Sequence, residues 1–234
     1  MARATSRRRP PPMLPVSRSK AMTLRVDIVS DVVCPWCVIG YLQLAKAAAE
    51  TGTDLEVHWH PFELNPQMAP EGENLREHLA AKYGTTPEDS RAARLRLTEL
   101  GAALGFAFDY ADDMRMVNTF RAHQLIDWAE DQGKAHEMKR ALFAAFFTRR
   151  EDLNDVSVLA DVAESLGLDR VAAVAMLEGG ERADAVREKQ QFWTSKGITG
   201  VPAMIFERQY LVTGAQGEET YARILTELSE TTPA

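Results

Sequence analysis

Two cysteines stand three residues apart, in Cys34-Pro35-Trp36-Cys37, where a segment of alternating apolar residues gives way to a helical one. Leu24, Val26 and Ile28 alternate with Arg25 and Asp27, the period-two pattern of a strand, which runs into a turn over residues 30–33. Pro35 suits the first position of a helix, where its missing N–H is no loss. Val38, Tyr41, Leu42, Ala45 and Ala49 then mark one helical face, and Gly52 follows its end. Leu55, Val57 and Trp59 alternate with Glu56, His58 and His60 in a second strand that Pro61 closes. The chain thus opens on a βαβ unit with both cysteines at its first turn.

These are the only cysteines among 234 residues, 45% of them hydrophobic. A chain of that size buries a core without a disulfide staple, and disulfide frameworks belong mainly to small secreted domains. The pair is therefore read as chemistry. A zinc site would need further ligands; His58 and His60 could supply them only in principle, and a cysteine at such a turn is poorly placed for a closed tetrahedral cage, so no metal is expected.

From about residue 72 to 180 the signals are helical. Thr86, Pro87, Glu88 and Asp89 give a cap, a first-turn proline and early acids, with Gly105 as the stop. Further helices are predicted over 118–132, 134–149, 156–166 and 170–177. One more spans 181–196 before Gly200-Val201-Pro202, two short strands at 203–206 and 210–212, and a last amphipathic helix through Tyr221, Ile224, Leu225 and Leu228. Three segments result: a tail at 1–22, a βαβ and αββα domain made of 23–71 and 181–231, and an inserted helical domain at 72–180.

The tail holds Arg3, Arg7, Arg8, Arg9, Arg18 and Lys20 among prolines and carries no acid. It reads as disordered, and it lacks the run of about 7–15 apolar residues that a secretory signal requires, so a cytoplasmic protein is expected. The net charge is −7; six of 27 basic residues lie in the tail, leaving 21 against 34 acidic ones, or −13, elsewhere. Nucleic acid as the main partner is disfavoured by that balance, and no segment is apolar enough to serve as a membrane span.

A strand, a CxxC pair opening a helix, a helical interruption and a valine-proline before a hairpin resemble the DsbA-like thioredoxin-fold family, in particular its FrnE-like cytoplasmic branch. Phe62-Glu63-Leu64-Asn65-Pro66, Asn118-Thr119-Phe120-Arg121-Ala122-His123 and Gly200-Val201-Pro202 look like that branch too, and the resemblance runs from about Leu24 to Leu228. It implies an α/β fold, a thioredoxin fold interrupted by a large helical insertion, and a thiol–disulfide oxidoreductase. It further implies that Pro35 and Trp36 tune the redox potential, and that a cis Val201–Pro202 bond faces the cysteines, with Val201 backbone groups free to pair with substrate.

Position adds that Cys34, at the helix edge, is the attacking thiol and Cys37, a turn inside, the resolving one. The helix dipole favours a thiolate there by about 0.3–1 kcal/mol, up to ~2. Expected substrates are protein or small-molecule thiols and disulfides, with no cofactor beyond the dithiol, glutathione as a candidate reductant, and a monomer or homodimer. Two alternatives stand beside this reading. One is a glutathione-dependent isomerase or transferase of the related kappa type, which usually carries serine at the Cys34 position; the other is a redox-independent holdase. Asn118 is expected to cap a helix, and Phe120, Phe143, Phe146 and Phe147 to fill core, the last three with the option of lining an apolar groove near the cysteines.

Overall fold

A computed structural model describes residues 23–231, so the basic segment 1–22 lies outside the described residues. Strand β1 (Thr23–Ser30) runs into helix α1 (Pro35–Thr51), which returns through Gly52 in the left-handed region (φ 67°) to strand β2 (Asp54–Pro61). β1 and β2 pair in parallel, Ile28 opposite Trp59 and Ser30 opposite Pro61.

Next come β3 (Glu73–Asn74), α2 (Leu75–Tyr83), α3 (Pro87–Ala103), β4 (Arg115–Met116), α4 (Phe120–Glu130), α5 (Ala135–Phe147), α6 (Val156–Ser165) and α7 (Arg170–Gly179). The chain ends with α8 (Ala183–Ser195), β5 (Ala203–Phe206), β6 (Tyr210–Thr213) and α9 (Glu218–Thr231). The main sheet has the order β2-β1-β5-β6, with β5 antiparallel to both of its neighbours. This is a thioredoxin-like sheet interrupted by a helical block.

β1 is central and covered on both faces, which explains why Asp27 and Ser30 are buried along with its apolar residues. On one face Trp59 packs against Tyr41 of α1 (ring centroids 5.2 Å) and Phe143 of α5 (6.1 Å), joining the helical block to the sheet. On the other, Val29 clusters with Ile198 and Ala203, and Trp193 of α8 lies 4.6 Å from the His60 ring. Both strand histidines are engaged within the sheet: His60 with Asp27 at 2.8 Å, and His58 with Glu56 at 2.7 Å and Arg25 at 3.0 Å.

The block departs from an all-helical reading in one detail. β3 and β4 form a two-residue antiparallel ladder, Glu73 opposite Met116, that ties the entrance of α2 to the segment before α4. α2, not separated in the sequence, is capped by Asn74, whose side chain accepts from the N–H groups of Arg76 and Glu77. α3 begins as expected: Thr86 accepts from the Asp89 N–H, Asp89 reaches back to Thr86, and Pro87 follows.

Two packing expectations need correction. α1 is covered by the sheet, α9 and the block, so its buried face is broader and centred on Leu44 and Ala48; Leu42 and Ala45 are half-buried and Ala49 is exposed. Phe120 is half-buried beneath the Arg187 guanidinium (3.7 Å from the ring centroid) rather than in the core. Asn118 does satisfy a helix end, accepting from the Phe120 N–H at 2.9 Å.

Candidate active site

The dithiol stands where β1 hands over to α1. Cys34 is the N-cap of α1, with extended dihedrals (φ −92°, ψ 110°), and Pro35 occupies the first turn. Two residues three apart inside a helix have Cβ atoms too distant for a disulfide, and leaving the helical region at Cys34 removes that obstacle. Both thiols are free, Cys34 is 4% exposed and Cys37 is fully buried.

The two sulfurs share a hydrogen bond, so their titrations belong to the pair. That bond, together with burial and the charge on Cys37, pushes Cys34 well above the ordinary thiol range. Burial disfavours a Cys37 thiolate as well. It is outweighed by the bond from Cys34, the charge of Lys139 and the Asp31 N–H, which help to hold Cys37 low. Ionisation of the inner sulfur is thus favoured over that of the outer one, while the Cys37 N–H at the helix start favours a thiolate on Cys34.

Lys139 is the unexpected member. It lies on α5, is 1% exposed, and donates to the Ser30 carbonyl at 3.1 Å between the ring faces of Trp59 (5.4 Å) and Phe143 (5.1 Å). Burial lowers its pKa to about 8, against the pull of Cys37, Asp31 and Cys34. Asp31, fully buried, has one carboxylate oxygen accepting from the Leu64 N–H at 2.7 Å. Its other oxygen is 3.3 Å from His123 Nε2, but that nitrogen is directed at the Phe62 carbonyl (2.9 Å), leaving the oxygen without a directed donor. Burial opposes its charge; the nearby His123, the Leu64 N–H and Lys139 prevail and keep its pKa low. A lysine and an aspartate thus lie behind the dithiol, both taken from water.

The other expected residues converge here. The Val201 carbonyl oxygen lies 3.8 Å from Cys34 Sγ, and the Val201–Pro202 bond is cis. Gly40 brings α1 against this loop: a Cβ there would stand 3.3 Å from Pro202 Cγ and 3.2 Å from Met204 Cε. Trp36 is 39% exposed, with the Arg96 guanidinium of α3 5.9 Å from its ring centroid.

A DSBA-like thioredoxin domain matches residues 25–226 of this sequence. The chain belongs to that family. A probable DsbA oxidoreductase from Streptomyces coelicolor is 33% identical, with a TM-score of 0.81 over 90% of this chain and 92% of that one. The uncharacterized protein YwbO of Bacillus subtilis is 26% identical over 207 residues, which is 88% of this chain and 98% of that protein. The cytosolic disulfide reductase DsbM from Pseudomonas aeruginosa, in a structure with GSH, shares the fold at 20% identity and a TM-score of 0.62, over 88% of this chain and all of that one.

Within this DSBA-like fold, sequence reasoning missed Lys139 and Asp31. A signal for the lysine existed: it shares the face of α5 that carries Ala135, Leu142, Phe143 and Phe146, where a charged side chain is out of place. For Asp31 the signal was weaker, since an acid in a turn before a helix is ordinary. Among the described residues no helix is long and apolar enough to cross a membrane.

Proposed function

We propose that this DSBA-like chain is a thiol–disulfide oxidoreductase of the reductase or isomerase type, of the FrnE-like cytoplasmic branch, acting through Cys34 and Cys37. The observation that carries the reading is the placing of Cys34 at a helix N-cap, in the wall of a cavity, with the buried Cys37 thiol beside it and the Lys139 charge behind favouring its ionisation.

As Cys34 approaches a substrate disulfide, its proton passes along the shared hydrogen bond to Cys37. The Cys34 thiolate forms a bond to one substrate sulfur, and the other leaves as a thiolate. Cys37 then attacks Cys34, and its proton passes to the second substrate sulfur, which leaves as a thiol while the Lys139 charge favours the ionising Cys37. The substrate gains two electrons; the pair supplies one of its two protons and water the other, and the protein is left as the Cys34–Cys37 disulfide. Two equivalents of a monothiol such as glutathione would restore the dithiol, with no other cofactor.

Lys139 favours the thiolate and so raises the reduction potential of the pair, because stabilising a charge that exists only in the reduced form stabilises that form; it tempers the reducing power of the dithiol. Pro35 and Trp36 tune the pair, while Val201 and Pro202 border the approach to Cys34. Cytosolic thiol poise favours reduction or isomerisation over net oxidation. The test is catalysis of disulfide reduction, or of scrambled-disulfide repair, by the purified dithiol protein. Cys34→Ser is expected to abolish both; activity that survives it would overturn the assignment.

A further inference from the structure

Cys34 does not face open solvent. It lies in the wall of a cavity of about 410 Å³ between the dithiol turn and the helices α2, α3 and α5. That volume suits a small molecule, whose pockets run roughly 300–1,000 Å³. A folded protein cannot bring a disulfide to a sulfur that is only 4% exposed inside such a space without opening the block.

The lining describes an occupant. Trp36, Leu97, Tyr110, Phe146 and Phe147 make the walls largely apolar and aromatic, suited to a flat ring. Three hydroxyls on the lining, those of Thr85, Ser90 and Tyr110, are buried and have no hydrogen-bond partner, and Ser90 is only 5% exposed. Unsatisfied buried hydroxyls carry a penalty of roughly 1–3 kcal/mol each, which a polar group on a ligand relieves. At the rim Lys82 is held by two neutral acceptors, the Leu64 carbonyl at 2.7 Å and the Asn65 side-chain oxygen at 2.6 Å, so its charge has no carboxylate bonded to it.

We infer that the substrate is a low-molecular-weight disulfide with a flat apolar arm bearing an anionic group. Its arm lies in the cavity between α3 and Phe146, its anion meets Lys82, and its disulfide reaches Cys34. This deepens the proposed oxidoreductase reading and rests on it. The chemistry is the exchange already described: Cys34 bonds to the sulfur of the arm, the other sulfur leaves, Cys37 displaces the arm as a thiol, and a monothiol reductant supplies the two electrons.

The test compares reduction of dithiobis(nitrobenzoate), an aryl disulfide with a carboxylate on each ring, with that of hydroxyethyl disulfide and of insulin. Each rate is divided by its rate with free dithiothreitol, which removes intrinsic reactivity. The aryl substrate is expected to be preferred by about tenfold or more, the equivalent of ~1.4 kcal/mol of added binding in the transition state. Ala93→Trp, on the α3 side of the cavity, should erase that preference, slowing the aryl disulfide more than the smaller hydroxyethyl disulfide. Lys82→Met, at an exposed site, should raise KM for dithiobis(nitrobenzoate) and not for the uncharged dithiodipyridine. Should Ala93→Trp not fold, the wild-type protein still answers: anilinonaphthalenesulfonate, flat and anionic, should slow iodoacetamide alkylation of Cys34. Equal normalised rates for all disulfides, or an unchanged preference in both variants, would overturn the pocket assignment and leave the oxidoreductase reading intact. Reduction that persists in Cys34→Ser would instead remove the oxidoreductase reading itself.

Discussion

The Cys34 sulfur and the Val201 carbonyl oxygen are 3.8 Å apart although 167 residues separate them in sequence. The contact joins the two halves of the thioredoxin fold across the inserted block, and it places the loop of Pro202 beside the thiol proposed to attack.

That juxtaposition depends on Gly40. A methyl group there meets Pro202 Cγ at 3.3 Å and Met204 Cε at 3.2 Å, so both must give by a few tenths of an ångström. Gly40→Ala gains about 0.5–1 kcal/mol of helix propensity against roughly 1–3 kcal/mol of overpacking, and a net loss of about 1 kcal/mol is expected in denaturant unfolding. Turnover should fall several-fold while the pH midpoint of Cys34 alkylation stays in place, because the groups that set it have not moved.

Removing the buried ammonium should act on the pair directly. Lys139 lowers Cys37 by charge, so Lys139→Met should move the first ionisation of the dithiol upward by about one pH unit, the scale of an opposite charge at close range. Iodoacetamide alkylation rate against pH measures this. An unshifted midpoint would show that the lysine is there for packing alone.

The same lysine makes stability depend on alkaline pH. Its folded pKa, about 8, lies below the ordinary value of 10.5, so between these values the unfolded chain binds more protons and folding stability rises with pH. Below that window the charged side chain is a cost in the folded state that is fully present. Measured on the disulfide form, in which neither thiol titrates and the window begins at or below about 8, urea midpoints should rise through the window in wild type and lack this rise in Lys139→Met.

The cavity wall offers a purely structural control. Thr86 and Asp89 cap α3 reciprocally, and Thr86→Ala should cost about 1 kcal/mol while loosening the start of α3. Alkylation of Cys34 should become faster at every pH with no change of midpoint, a pattern distinct from that of Lys139→Met.

Much of this site was legible because its determinants are local. Pro35 and the position of Cys34 just ahead of the helix specify a cap, and Gly52 marks a stop at which the chain does turn left-handed. Thr86 to Asp89 declared the start of α3 for the same reason. What escaped depends on chain segments meeting in space. A two-residue ladder such as β3–β4 is too short to have a period, and Ser90 and Tyr110 come from different elements, so no spacing reveals that both hydroxyls line one cavity. Lys139 was hidden differently: lysine is normally a surface residue, and only its place on an otherwise apolar face marked it. Trp36, singled out in the sequence beside Pro35 as a residue that tunes the pair, also lines the cavity, together with residues of α2 and α3.

The most direct measurement is mass spectrometry of Cys37→Ala after exposure to a disulfide substrate under native conditions. With no resolving thiol, the protein should accumulate one substrate arm bonded to Cys34, and dithiothreitol should release it. Failure to form that adduct, in a protein whose parent still turns the substrate over, would contradict attack by Cys34.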